Sequence, residues 1–277
     1  MSQSKTLKKT NKDLSLVSGA KYISKNRFDG KVAVITGSSY GIGYSIAERL
    51  GLEGCKVVIC SRKQENVDVA LSKLKKQNIQ AAGVQCHISN ANDREKLYKK
   101  ALEEFGGINI FVSNVGVNPK ICPVLECQES EWDKTFDVNL KSPYLLAKEI
   151  LPYIKRNNNG GKMLFISSIS AFGNITEFGA YSVSKCALNA LTKLIAGQLA
   201  EDNIQVNCIA PGLVDTPFAD AIFKTARFYE QTINSTPMRR YAEPHEIAGV
   251  AAFLVSDDAS YITGEIIVAA GGMSSRL

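Results

Sequence analysis

Histidine is nearly absent: the 277-residue chain has His87 and His245 and no others. Its seven cysteines (Cys55, Cys60, Cys86, Cys122, Cys127, Cys186, Cys208) include no Cys-x-x-Cys pair. The spacings that build a zinc site are therefore missing, and no metal is expected. An odd number of cysteines, mostly in apolar stretches, reads as small core filler in a reducing or neutral compartment rather than a disulfide framework. No apolar run approaches the length of a membrane-spanning helix. Excess charge is also missing from most of the chain. Net charge is +6, but Lys5, Lys8, Lys9, Lys12, Lys21, Lys25 and Arg27 face only Asp13 and Asp29 within residues 1–29, so +5 sits there and +1 elsewhere. Nucleic-acid binding needs a basic field on the folded body, and a nearly neutral body argues against it.

What is present is ordinary in composition, 45% hydrophobic and 22% charged, with length enough for one large core. Residues 1–27 lack hydrophobic periodicity and read as a basic, disordered tail. From Lys31, short β-rich runs alternate with amphipathic ones. Strands are predicted at 31–36 ("KVAVIT"), 56–60, 81–88, 108–114, 161–168, 204–210 and 265–270. Helices are predicted at 43–54, 62–77, 93–106, 131–155, 181–200 and 244–255. Several strands are apolar on both faces, as parallel strands covered by helices are. The expectation is a single doubly wound α/β domain over 28–277. Segment 212–243, with Pro217 and Pro237 and weak periodicity, is expected to form a mobile lid.

The first strand runs into "TGSSYGIG" (36–43) and then directly into a helix. Glycines 37, 41 and 43 let backbone approach a pyrophosphate, whose charge suits the helix N-terminus. The end of the second strand selects the dinucleotide. A carboxylate there would bond the ribose 2′-hydroxyl and repel a 2′-phosphate. Here the residues are Ser61, Arg62 and Lys63, without an acid. Arg62 can grip a phosphate bidentately and Lys63 adds charge, so NADP(H) is expected over NAD(H).

In "AYSVSK" (180–185), Tyr181 and Lys185 stand one helical turn apart with small residues between them. A phenol with its ordinary pKa near 10 is a poor proton donor at neutral pH. A neighbouring ammonium is expected to lower that value by roughly two to three units, about 3–4 kcal/mol of differential stabilisation. Such pairs are also common on solvated helix faces, so the surrounding motifs decide.

Those motifs are "TGSSYGIG", "SNVG" (113–116), "VN" (138–139), "FISS" (165–168), "YSVSK" and "APG" (210–212). Their order and spacing resemble the short-chain dehydrogenase/reductases over residues 28–277. The resemblance implies a Rossmann-type fold with a seven-stranded parallel sheet and helices on both faces, and commonly a homotetramer. It implies a catalytic set of Asn139, Ser168, Tyr181 and Lys185, with Ser168 thirteen residues before the tyrosine. It also implies cofactor contacts from Gly37, Ser39, Tyr40, Gly41, Ile42, Gly43, Ser61, Arg62, Lys63, His87, Asn114, Gly116, Tyr181, Lys185, Pro211, Gly212, Val214 and Thr216. Ser168, Ser170, Phe172, Phe178, Tyr181, Leu213 and Phe218 would meet substrate. Asn139 would anchor a relay water through its main-chain carbonyl. Pro143, four residues on, has no N–H to bond that carbonyl and would leave it free.

Two departures stand out. His87 replaces the family's aspartate at the adenine, and Ser113-Asn114-Val115-Gly116 replaces Asn-Asn-Ala-Gly. The ending Ser275-Arg276-Leu277 matches a peroxisomal address read by an import receptor. With "SRKQENVD", "CHIS", "GVNP", "WDK" and "DASYITGE", it resembles a branch of peroxisomal NADPH-dependent carbonyl and retinal reductases. That branch implies reduction of retinal, α-dicarbonyls and aromatic ketones. Within enzymes the alternative is a 3-oxoacyl thioester reductase; outside them, a catalytically idle NADP-binding scaffold or sensor. The basic tail makes a mitochondrion, or the cytoplasm, the alternative address.

Overall fold

Valine and isoleucine dominate the predicted strands, and such side chains pack well on a pleated surface buried on both faces. The computed structural model describes residues 26–173, 175–219 and 226–275. Seven strands form: β1 (Val32–Ile35), β2 (Lys56–Ser61), β3 (Ala81–Gln85), β4 (Ile110–Ser113), β5 (Gly161–Ile166), β6 (Ile204–Pro211) and β7 (Ile266–Ala269). All neighbours pair parallel, in the order β3-β2-β1-β4-β5-β6-β7. This is the expected Rossmann-type sheet.

Helices cover both faces. They are α1 (Gly41–Leu52), α2 (Gln64–Lys76), α3 (Ala91–Phe105), α4 (Glu129–Phe136), α5 (Ser142–Ile154), α6 (Gly179–Leu199), α7 (Ala226–Ser235) and α8 (Pro244–Leu254). The strand pleat divides the core in two. Ala33 and Ile35 of β1 pack with Ile46 and Leu50 of α1, Leu74 of α2 and Ile247 of α8. Val32 and Val34 point the other way, to Leu97 of α3, Ile150 of α5 and Leu188 of α6. Between β4 and β5, Phe111 and Phe165 meet edge to face at 6.3 Å, a geometry that adds about 1 kcal/mol to the area they bury.

Two expectations need amendment, and a third falls only partly within the described residues. The long helix at 131–155 is interrupted by a π-helical turn over Asp137–Lys141. Pro143 supplies the cause: without its N–H the α-helical ladder cannot continue, and the Ser142 N–H bonds Asp137 instead. The tail boundary also moves. Arg27 lies against the body, its Nε 2.6 Å from Glu53 and its Nη1 3.2 Å from Asp258, and Phe28 is buried. The rest of the expected tail, residues 1–25, lies outside the described residues. Of the expected lid, a 3-10 turn at Pro217–Ala219, α7 and a bridge from Val214 to Ala242 are described, and residues 220–225 are not.

Glu53 ends α1 and is buried between two arginines, Arg27 and Arg49. Its carbonyl accepts the Phe28 N–H at 2.9 Å, closing the chain's entry onto the sheet. Removing the carboxylate would strand two half-buried guanidinium groups. Glu53→Ala is therefore expected to lower unfolding stability by about 2–4 kcal/mol, read from urea melts; a change under about 0.5 kcal/mol would contradict the assignment.

Candidate active site

The helices after β1 and β4 leave for opposite faces of the sheet, and in open α/β folds ligands enter the crevice beyond that reversal. A cavity of about 790 Å³ opens there. Polar ties shape its floor. Thr36 Oγ1 donates to the Val112 carbonyl at 3.4 Å and accepts the Asn114 N–H at 3.0 Å. Asn114 Nδ2 donates to the Gly37 carbonyl at 2.9 Å. Ser38 Oγ donates to the Ile35 carbonyl at 2.6 Å and accepts the Cys60 N–H at 3.1 Å. The loop after β1 is thereby fastened to both β2 and β4.

Gly37 and Gly41 take φ of +58° and +60°, which side chains resist. At Gly41 a Cβ would also meet Thr216 at 3.1 Å. Tyr40, the N-cap of α1, makes no side-chain cap bond, and the first turn carries no acid. The positive end of that helix is thus open to an anion. Gly37, Ser39, Tyr40, Gly41 and Ile42 line the cavity, and this cradle fits the pyrophosphate of a dinucleotide. Ser61 and Arg62 line it at the end of β2, and Arg62 joins no ion pair among the described residues. His87 lines it too, its N–H donating to Asp93 at 3.1 Å. From the end of β6 come Pro211, Gly212, Leu213, Val214 and Thr216.

Tyr181 and Lys185 lie on the same buried side of α6, and both reach the cavity. Lys185 Nζ stands 5.6 Å from the Tyr181 ring centre and donates to the Ile166 carbonyl at 2.9 Å. Ser168 caps the 3-10 turn at Ile169–Ala171 by accepting the Ser170 N–H at 3.1 Å. Its hydroxyl lies near enough to the Tyr181 phenol to favour the ionised form. Phe178 meets the phenol ring edge-on at 6.0 Å and Phe218 is tilted against it at 5.8 Å. Ser170, Leu213, Phe178 and Phe218 line this end of the cavity.

The electrostatics reverse one expectation. Burial pushes the Tyr181 phenol up to about 12, against the pull of Ser168. Burial likewise brings Lys185 down to about 8, offset partly by Cys208. The phenol's pKa is raised rather than lowered, and burial is the main cause for both groups. At neutral pH the phenol holds its proton and the lysine is largely charged.

Three further residues sit elsewhere than expected, and the side chain of Asn139 has a structural task of its own. Lys63 is exposed as the N-cap of α2 and lies off the cavity wall, because the chain has left β2 by then and turned into the helix. Phe172 is half-buried and also off the wall. Gly43 is a packing position: a Cβ there would strike the Gly37 carbonyl and Asn114. Asn139 is buried behind the cavity, where its side chain accepts the Val117 N–H at 2.8 Å and donates to the Val117 carbonyl and Ser184 Oγ. It ties the loop after β4 to α6. Gly116 makes room for the lysine, since a Cβ would stand 3.3 Å from Lys185 Nζ.

Sequence reasoning missed Val117, Asn118, Ile175 and Met273 on the wall, and the charged trio Lys134, Asp137 and Glu177. No motif marks them, because tertiary folding alone brings their segments together. Among the described residues no cluster of three metal-ligating side chains forms, and no helix is long and apolar enough to cross a membrane.

A family model described as enoyl-(acyl carrier protein) reductase matches residues 37–274. Rabbit (Oryctolagus cuniculus) dehydrogenase/reductase SDR family member 4 is 45% identical over 247 residues, 89% of this chain and 95% of the relative. Human (Homo sapiens) dehydrogenase/reductase SDR family member 2, mitochondrial, is 43% identical over 247 residues, 89% of this chain and 87% of the relative. A solved 7α-hydroxysteroid dehydrogenase, in complex with NADH and 7-oxo glycochenodeoxycholic acid, superposes with a TM-score of 0.86 at 30% identity. That match covers 92% of this chain and 98% of the other. The chain belongs to the short-chain dehydrogenase/reductase family and is an NAD(P)-dependent oxidoreductase acting between alcohols and carbonyls.

Proposed function

We propose that the protein reduces hydrophobic carbonyl compounds to alcohols with NADPH, and that retinal, α-dicarbonyls and aromatic ketones are its substrate classes. The observation that carries this reading is a buried phenol on an aromatic wall, with one serine beside it and one lysine behind it. When bound, NADPH supplies the hydride. The glycine loop and the α1 N-terminus would hold its pyrophosphate, and Ser61 with Arg62 the 2′-phosphate. Asn114, Gly116 and the Pro211–Thr216 segment would flank the nicotinamide half, and His87 the adenine.

The chain's own residues then manage the oxygen of the substrate. Ser168 donates a hydrogen bond to it, and Tyr181 gives it a proton as negative charge develops there. Lys185 steadies the phenolate left behind. The Asn139 carbonyl, which Pro143 deprives of its usual helical donor, would hold the water that returns a proton toward Lys185. Phe178, Phe218, Leu213 and Ser170 would receive the body of a bulky substrate.

The charged trio weighs against the 3-oxoacyl thioester reading. Lys134 at the cavity is accompanied by Asp137 and Glu177, so this end is not basic toward an acidic carrier. An idle scaffold would have no need to bury Lys185 against a neutral acceptor. The proposal extends to a homotetramer and to peroxisomal import through Ser275-Arg276-Leu277, of which Arg276 and Leu277 lie outside the described residues. The printed name of the human relative keeps the mitochondrion as the alternative address.

Four measurements on the purified protein test this. With NADPH and a panel of retinal, benzil and acetoacetyl-CoA, reduction of the first two but not the thioester is expected. Tyr181→Phe should then lower kcat by about 10²–10⁴ while NADPH fluorescence still reports binding; retained turnover would refute the assignment. Arg62→Asp should raise the KM for NADPH by roughly 10–100-fold and spare that for NADH; equal losses with both cofactors would place the 2′-phosphate elsewhere. For pH, reduction needs both Tyr181 and Lys185 protonated. Lys185, brought down to about 8, loses its proton first as pH rises, so kcat/KM for reduction should fall above about pH 8. A profile flat to pH 10 would contradict this.

A further inference from the structure

We propose that Cys122 and Cys127 form a reversible disulfide that loosens substrate binding at the aromatic end of the cavity. The segment is "ICPVLEC", residues 121–127. Pro123 caps a 3-10 turn at Val124–Glu126 that folds the chain back on itself. The two Sγ atoms are thereby held 3.2 Å apart. A disulfide needs about 2.05 Å, so on the order of 1 Å of closure completes the bond. Cys122 is buried and Cys127 is half-buried, which gives an oxidant access to one sulfur with the other waiting beneath it. Neither thiol has a part in carbonyl reduction.

The turn is fastened to the start of α6. The Cys122 carbonyl accepts the Gly179 N–H at 3.2 Å, and Cys122 pairs with Phe178 in a parallel bridge. No slack lies between them: a Cβ on Gly179 would stand 2.5 Å from Val124 Cα and 2.7 Å from Val124 N. Phe178 in turn touches Tyr181 and lines the cavity. Drawing Cys122 toward Cys127 therefore moves the backbone that carries the Phe178 ring, and the contacts that fasten the turn run to α6 rather than to the glycine loop or Arg62.

The chemistry closes with a peroxide as oxidant. The Cys127 thiolate attacks one peroxide oxygen, the O–O bond breaks, and one water leaves as a sulfenic acid forms. The Cys122 sulfur then attacks Cys127 Sγ and expels the second water. Two thiols have lost two electrons and two protons in total, and hydrogen peroxide has become two waters. A dithiol reductant reverses the bond.

The formation of the bond is independent of the proposed function; its effect on substrate rests on that reading. The test uses the full chain treated with stoichiometric hydrogen peroxide. Intact mass should fall by about 2 Da, and peptide mapping should join Cys122 to Cys127. Amide exchange at Phe178–Ser182 should change on oxidation, whether or not any carbonyl is turned over. KM for an aromatic ketone should rise about threefold or more, with NADPH affinity unchanged, and dithiothreitol should restore it. Cys127→Ser, at the less buried position, should keep basal activity and lose the response; Cys122→Ser repeats the test from the other sulfur. A disulfide mapped to Cys60–Cys86 instead, no mass loss, unchanged exchange at Phe178–Ser182, or a Cys127→Ser protein that responds like the parent would overturn the proposal. Absence of turnover with every carbonyl, alongside the mapped bond and the exchange change, would overturn the proposed function and leave the disulfide standing.

Discussion

The lysine ammonium of α6 is buried, and the hydrogen bond it makes among the described residues goes to a neutral acceptor, the Ile166 carbonyl at 2.9 Å. Burial of this kind is unfavourable, and it draws the group's pKa down to about 8. A fold retains such a group when the surrounding structure is organised to hold it. Here the organisation is extensive. Gly116 withdraws to make space, Ser167 Oγ donates to the Lys185 carbonyl at 3.2 Å, and Asn139 ties the loop after β4 to Ser184 beside it. The phenol one turn earlier shares the same dry side of the helix. What looked in the sequence like a pair of interacting charges is better described as two desolvated groups.

This changes where the proton-donating power resides. The chain keeps Tyr181 protonated rather than ready to ionise, which suits an acid in the reductive direction. Lys185 contributes a fixed positive charge below about pH 8, and that charge gains its full effect only as negative charge grows on the oxygen opposite. Ser168 is poised similarly: the Ser170 N–H occupies its acceptor side, and its presence beside the phenol favours the phenolate.

Much of the architecture was legible in the sequence because the signals are local. β-branched runs such as "KVAVI" and "KVVIC" can only be parallel strands buried on both sides, and the glycine spacing at 37, 41 and 43 requires a tight turn. Tyr181, Lys185, Ser168 and Arg62 fell where their spacing placed them. The failures share a cause, which is that spacing along a chain does not report direction in space. Lys63 follows Arg62 but lies off the wall, and Phe172 stops short of it. The sign of the phenol's shift required knowing how dry α6 is. The approach of Cys122 to Cys127 depended on a 3-10 turn that no periodicity announces.

The most direct measurement is an NMR titration of protein carrying ¹³Cε-labelled lysine, with the Lys185 signal identified by its loss in Lys185→Met. The account predicts a midpoint near 8, well below the 10.5 of an ordinary lysine. A midpoint at or above 10 would mean that this ammonium is solvated or paired with an anion, and the description of the site given above would be wrong.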